Sequence, residues 1–84
     1  MICHIDCSNI SEAKQLHHEL ARFLCFPEWY GHNLDALYDC ITELPCPTRL
    51  YLSNWNHDAP WVTGFKAVLT DAQDSCPELA VIFK

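Results

Sequence analysis

Two carboxylates four residues apart, with aromatic rings just before them, are the groups in this chain whose spacing points to chemistry. Asp35 and Asp39 lie on the polar face of a predicted helix, and Trp29, Tyr30 and His32 precede it. Like charges at this spacing destabilise a helix by roughly 0.2–0.5 kcal/mol, and the helix dipole compensates only a carboxylate in the first turn. We therefore interpret the pair as facing a cation outside the chain.

The aromatic loop beside these carboxylates indicates which kind of partner could carry that cation. Rings that stack and anionic oxygens that attract Arg and Lys imitate the two parts of a nucleotide, so this surface suits a protein site built for RNA. A simpler interpretation also fits the residues, with two acids on a solvated helix face and Trp29 or Tyr30 in the core.

The apolar spacing predicts the elements that position this helix. Their order is β-α-α-β-α-β, which favours an α/β fold with a three-stranded parallel sheet packed against about three to four helices. Polar caps predict helix starts at Ser11, at Asn33 and at Asp58, the last with Pro60 in its first turn. The predicted strands cover residues 1–6, 48–53 and 79–83, and the second helix covers residues 33 to about 44.

The composition limits the classes of partner. The 84 residues form one predicted domain, residues 1–84, with a formal net charge of −6. The five Lys and Arg residues are scattered singly, which disfavours nucleic acid and anionic membranes because both need a basic face. The chain shows no basic leader and no apolar run of about 20 residues, so we expect a cytoplasmic protein. Its six cysteines are then expected to be free thiols, since the cytosol is reducing.

Metal binding and catalysis find little support in the sequence. Cys3 and Cys7 look like half of a metal site, but on a strand they lie about 13 Å apart, too far for one zinc ion. His17 and His18 are predicted to be surface and boundary residues. Cys40 lies at the edge of an apolar stripe and looks buried and inert as a nucleophile. We expect no enzyme activity, no metal and no cofactor.

The second helix and its loop also carry a long motif. From Pro27 to Asp39 the chain has the pattern Pro-Glu-aromatic-Tyr-Gly-x-Asn-Leu-Asp-Ala-Leu-aromatic-Asp. This pattern resembles the signature of the barstar family of ribonuclease inhibitors. The sequence match is strong from about Leu24 to Thr42, and the order of elements extends the resemblance to the whole chain. The resemblance implies a three-stranded parallel sheet packed against helices, and a protein that seals a barnase-like ribonuclease with its second helix and preceding loop.

The resemblance also implies roles for individual residues. Asp39 would be the central carboxylate, paired with the enzyme's phosphate-binding Arg residues and catalytic His, and Asp35 would add a second acidic contact. Trp29 would stack on that His, and a gapless alignment of the C-terminal segment implies a further acidic contact at Asp71. The full predicted partner-binding set is Trp29, Tyr30, Gly31, Asn33, Leu34, Asp35, Tyr38, Asp39, Thr42 and Asp71.

Three positions depart from the family pattern. Trp29 stands where Tyr is usual, Tyr38 stands where Trp is usual, and His32 replaces an acid. The leading hypothesis is a monomeric inhibitor, or immunity protein, of a basic ribonuclease. The alternative is a barstar-like interaction module whose basic partner is not a nuclease. A third hypothesis, a small thiol or metal protein, would be separated by metal analysis and a thiol count.

Overall fold

Three short segments alternate between buried and less buried residues, which is the period of a strand, and helices connect them. The computed structural model describes all 84 residues. Its elements in chain order are β1 (Ile2–Asp6), α1 (Ala13–Leu24), α2 (Leu34–Thr42), β2 (Thr48–Ser53), α3 (Val62–Ser75) and β3 (Leu79–Phe83). The strands form one parallel sheet in the order β1-β2-β3. The predicted fold class is confirmed, with three helices.

The helices cover one face of the sheet. Cys3, Leu50 and Val81 are in register across the three strands, and all three are buried. The neighbouring residues Ile2 and His4 point to the other face and are exposed. The connection from β1 to β2 contains α1 and α2, and the connection from β2 to β3 contains α3. Both connections are right-handed and the strands follow one another in one direction across the sheet, so the helices lie on the same face. The core therefore lies between one layer of helices and one face of the sheet.

The start of α2 is set by its own sequence. The Asn33 side chain accepts a hydrogen bond from the Ala36 backbone N–H at 2.8 Å, as the predicted N-cap should. The helix ends at Thr42, two residues earlier than predicted, and Glu43 leaves helical geometry at φ −102°. Pro45 disfavours helical backbone at the residue before it, which explains the early end.

The other two predicted caps are wrong. Helix α1 begins at Ala13 with Glu12 as its N-cap, and the Ser11 hydroxyl instead donates to Gln15 Oε1 at 3.1 Å. Helix α3 begins only at Val62, so neither Asp58 nor Pro60 lies in its first turn.

A long-range contact holds the residue before α3. The indole N–H of Trp61, the residue before α3, donates to the Ser11 carbonyl at 3.2 Å. That contact joins residues 50 positions apart, and a cap motif read within α3 alone does not contain it.

The six cysteines are free thiols in the structure. Cys3, Cys7 and Cys40 are buried, Cys25 and Cys46 are exposed, and Cys76 is half-buried. The three buried thiols act as small apolar side chains of the core. None of the helices is long and apolar enough to cross a membrane.

Candidate functional site

The outer face of α2 presents two carboxylates that the chain leaves unpaired. Asp35 and Asp39 are exposed, and at four residues apart on α2 they are neighbours on one helix face. The only ion pair in the structure joins Glu19 and Arg22 on α1, and α2 has no basic residue in its last turn. No cation of this chain therefore neutralises the carboxylates.

The opposite face of α2 anchors the helix. Leu37, Cys40 and Ile41 are buried in the core. Leu34 is half-buried against α3, where its Cδ1 lies only 2.8 Å from the place that a side-chain carbon on Gly64 would occupy. Because glycine has no Cβ, α2 and α3 can approach closely at this point. The acidic face is thus carried by a helix fixed along its other side.

The loop before α2 exposes the ring of Trp29 to solvent and buries the ring of Tyr30. Trp29 is 71% exposed, whereas Tyr30 is only 5% exposed. The Tyr30 backbone N–H donates to the Pro27 carbonyl at 3.0 Å, and its ring packs against Phe26 with ring centres 5.0 Å apart. The Tyr30 ring lies in the core and is not exposed, as the simpler interpretation allowed, and its place in the partner-binding set stays a prediction.

A buried hydrogen bond beneath the loop explains the position of Tyr30. Its hydroxyl is hydrogen-bonded to Nδ1 of His17 on α1, and His17 is only 4% exposed. Burial, and to a lesser degree the nearby His32, lowers the pKa of His17 to about 4. Burial also raises the pKa of the Tyr30 hydroxyl, with Cys40 adding to the effect. Both groups are therefore neutral at pH 7, and a neutral imidazole can accept the hydroxyl proton.

The His32 ring lies next to the Tyr30–His17 pair, on the side that faces solvent. Its ring centre lies 5.2 Å from that of Tyr30 and 6.0 Å from that of His17. The His32 backbone has φ 51°, the left-handed region that non-glycine residues rarely adopt. This turn directs the chain from the Trp29 loop into the N-cap of α2.

Gly31 and Asn33 serve the shape of this turn. The Asn33 amide is engaged on both sides, since Oδ1 accepts from the Ala36 N–H and Nδ2 donates to the Gly31 carbonyl at 3.4 Å. A side-chain carbon on Gly31 would lie 2.8 Å from that Nδ2. Both residues are exposed, so they can touch a partner, but their local role is to start α2.

Tyr38 and Thr42 flank the carboxylates on the side of α3. The half-buried Tyr38 shares a hydrogen bond of 2.9 Å between its hydroxyl and Ser75 Oγ on α3. The Thr42 hydroxyl donates to the Tyr38 carbonyl at 2.7 Å within α2, so its proton is not free for a partner. Asp71 is exposed one helical turn before Ser75, on the same side of α3. The structure therefore places a further exposed carboxylate on the side of α3 that carries Ser75.

Two residues that shape this surface were missed in the sequence. His17 was predicted to be a surface or boundary residue and is buried instead. Its spacing from Ala13 and Leu20 on α1 is the signal that could have placed it on the inner face. Ser75 was not singled out, and no local pattern marks it, because its partner Tyr38 lies 37 positions away.

Comparison with known proteins agrees with the motif and the geometry. Residues 1–84, the whole chain, match the family described as Barstar (barnase inhibitor). A Bacillus subtilis (strain 168) protein named "Putative ribonuclease inhibitor YrdF" is 35% identical over 82 residues, which cover 95% of this chain and 90% of that protein. Both matches are to inhibitors and not to enzymes. On sequence, fold and match over its full length, the chain belongs to the barstar family of barnase inhibitors.

Proposed function

We propose that this chain is a stoichiometric inhibitor, or immunity protein, of a basic barnase-like ribonuclease. Its α2 face and the Trp29 loop would enter the active site of the enzyme and exclude RNA. The observation that carries the proposal is the pairing of two exposed, unneutralised carboxylates, Asp35 and Asp39, with an indole that is 71% exposed. A large exposed ring and like charges at helical spacing are both unfavourable for a protein without a partner.

The proposed mechanism is imitation of the substrate. A ribonuclease holds RNA phosphates with Arg and Lys, and carboxylates accept the same charge-assisted hydrogen bonds, bidentate ones from Arg. Asp39 lies mid-helix and is the central contact, while Asp35 in the first turn is the second. Trp29 would take the place of a base by stacking on a flat side chain of the enzyme.

The buried pair beneath the loop makes this surface rigid before binding. Tyr30 and His17 fix the loop that carries Trp29, and Asn33 fixes the start of α2. A surface that is ordered in advance loses less conformational entropy on binding, which increases affinity without any new contact. Rigid support is thus part of the proposed inhibition.

The charge of the chain favours rapid encounter with a basic enzyme. A net charge of −6 and an acidic helix face attract a positively charged partner and raise the association rate. Salt screens exposed charges over about 10 Å at 0.1 M. The association rate should therefore fall as salt rises, and a rate independent of salt would contradict the role given to these charges.

The deciding experiment is a titration of a barnase-like ribonuclease with this protein while RNA cleavage is followed. Wild type should abolish cleavage at a one-to-one ratio, and Asp39→Ala should relieve the inhibition. Asp58→Ala is the matched control, because it removes the same charge from an exposed residue outside α2. Equal inhibition by Asp39→Ala and wild type would refute the mechanism. Absence of inhibition, with a basic non-nuclease protein bound through Asp39, would favour the alternative interaction module.

A further inference from the structure

The face of the sheet opposite the helices is uncovered along all three strands. Parallel sheets almost always have both faces covered, whereas the helices of this chain lie on one face alone. Alternation along the strands places every second residue on the uncovered side. We call this side the open face, and its residues are Ile2, His4 and Asp6 of β1, Arg49, Tyr51 and Ser53 of β2, and Ala80, Ile82 and Lys84 along β3 and its end.

The middle of the open face is aromatic and apolar. His4 and Tyr51 are register partners, and their rings stack with centres 4.6 Å apart and planes at 9°. Ile82 is the register partner of Tyr51 on the other side, and Ile2 at one edge is 64% exposed. An exposed apolar patch with charged residues at its rim is typical of a surface that binds another protein.

The charge of the open face is opposite in sign to that of the rest of the chain. Arg49, Lys84 and Asp6 give it a formal charge of +1. The whole chain has a formal net charge of −6, so the remaining residues carry −7. Because like-charged molecules repel, the open face is the side on which two copies can approach with the least local repulsion.

Opposite charges lie at opposite edges of the open face, at the same end of the sheet. Asp6 is the register partner of Ser53. The Lys84 backbone N–H donates to the Leu52 carbonyl at 2.9 Å, which continues the register of β3 beside Ser53. Lys84 Nζ lies 5.3 Å from the centre of the Tyr51 ring, so the ammonium lies over the open face. Neither Asp6 nor Lys84 forms an ion pair within the chain.

The Asp6 carboxylate is held in place by its neighbours. Its Oδ1 accepts hydrogen bonds from the Asn54 side-chain amide at 2.8 Å and from the Ser8 backbone N–H at 2.9 Å. The hydrogen bonds from Asn54 and Ser8 lower the pKa of Asp6. The carboxylate is therefore ionised at neutral pH and has a fixed position at its edge of the sheet.

We propose that the open face is a dimer interface on which a second copy of this chain docks, with the two sheets packed face to face. A two-fold axis parallel to β2 and above Tyr51 gives aligned sheet packing and places β1 of each copy over β3 of the other. Asp6 then faces the partner's Lys84, and Lys84 faces the partner's Asp6. The charges are thus self-complementary, as a two-fold interface requires.

The same arrangement places His4 opposite the partner's Ile82, while the two Arg49 side chains meet as like charges at the other end of the sheet. The nine residues of the open face are fewer than the roughly 20–30 a side of a standard interface. We therefore expect a weak dimer, with Kd on the order of 10–1000 μM. Because α2 belongs to the helix layer, its acidic face stays free, and the proposal does not depend on the proposed inhibitory function. The dimer replaces the monomer expected from the sequence.

The test is analytical ultracentrifugation of the full chain from about 5 μM to 1 mM. Wild type should pass from monomer to dimer and no further, because a two-fold interface is closed. Lys84→Asp places a carboxylate opposite the partner's Asp6 and should raise Kd by at least about tenfold. Asp6→Asn added to Lys84→Asp removes that repulsion, keeps the Oδ1 acceptor and should restore most of the association. Arg49→Gln should lower Kd, since it removes the like charges that meet near the axis.

Lys14→Asp is the matched control, because it changes the net charge equally at an exposed residue of α1 and should alter Kd by less than about threefold. A monomer at every concentration would overturn the proposal, and so would equal effects of Lys14→Asp and Lys84→Asp. Failure of Asp6→Asn to restore association would refute the facing pair of charges. Single-stranded RNA retained through Arg49 and Lys84 by a protein that stays monomeric would assign the open face to nucleic acid instead.

Discussion

The α2 face and the loop beneath it differ in how completely their polar groups are satisfied. On the surface, Asp35 and Asp39 have no cation from this chain and Trp29 is exposed. One layer below, Tyr30 and His17 satisfy each other in a buried hydrogen bond. The chain therefore leaves its proposed recognition groups unpaired and pairs the groups that support them, so binding and stability should respond to different mutations.

The largest expected effect is on the exposed side of this comparison. In Asp39→Ala, partner cations that the carboxylate would have paired stay desolvated, and the binding free energy should weaken by about 2–5 kcal/mol, mainly through faster dissociation. That range was calibrated in part on the barnase–barstar complex itself. The free energy of unfolding should not fall, because removing the like charge beside Asp35 relieves roughly 0.2–0.5 kcal/mol of repulsion.

Stopped-flow dissociation and urea denaturation of the same Asp39→Ala sample measure the two quantities. Asp39→Asn, which keeps the shape of the side chain and removes its charge, is the matched comparison. A loss of stability as large as the loss of affinity would show that Asp39 supports the fold, and the contrast between surface and support would fail.

The next prediction tests the buried Tyr30–His17 pair through the dependence of stability on pH. The folded-state pKa of His17 is lowered to about 4 by burial, below the value of about 6.5 in an unfolded chain. Between these two values the unfolded state binds more protons, so stability falls as pH falls. The loss from this group should begin near pH 6.5, reach up to about 3 kcal/mol and stop below pH 4.

Denaturation curves between pH 4 and pH 7.5 measure this loss. His17→Gln should flatten this part of the pH profile, because the amide can still accept from Tyr30 but does not titrate. His18→Gln changes the exposed neighbour and should leave the profile as in wild type. If His17→Gln leaves the pH profile unchanged, His17 is not the cause of the loss of stability as pH falls.

Tyr30→Phe asks whether the hydroxyl, and not only the ring, supports the loop. The substitution keeps the ring against Phe26 and leaves Nδ1 of buried His17 without its partner. An unsatisfied buried acceptor costs about 1–3 kcal/mol, so unfolding should become easier by that amount. Trp29→Ala, one residue earlier, should change stability by less than about 0.5 kcal/mol because its ring is exposed, yet it should weaken inhibition. Equal destabilisation by Tyr30→Phe and Trp29→Ala would contradict the distinction between a buried residue that supports the loop and an exposed residue that does not.

The same division explains what the sequence could and could not predict. Periodicity found all three strands and three helices, and Asn33 was found as a cap because a cap is a local signal. The burial of Tyr30 was left open because its orientation depends on His17, 13 positions away. The start of α3 was also misplaced, and the residue before it, Trp61, makes a contact with Ser11, 50 positions away. Local chemistry thus predicted the exposed carboxylates well, whereas the buried support depends on contacts distant in sequence.

The smallest expected effect lies at the border between surface and support, where Tyr38 meets Ser75 at 2.9 Å. This hydrogen bond fixes the ring that flanks the carboxylates. Tyr38→Phe and Ser75→Ala each remove it, and a net hydrogen bond is worth about 0.5–1.5 kcal/mol. If the bond positions the ring for a partner, each single variant should weaken inhibition slightly and the double variant should add nothing further. Ser75→Thr keeps the hydroxyl and should preserve affinity. Strictly additive losses of affinity would show that the two groups act independently, and Ser75 would then have no part in positioning Tyr38.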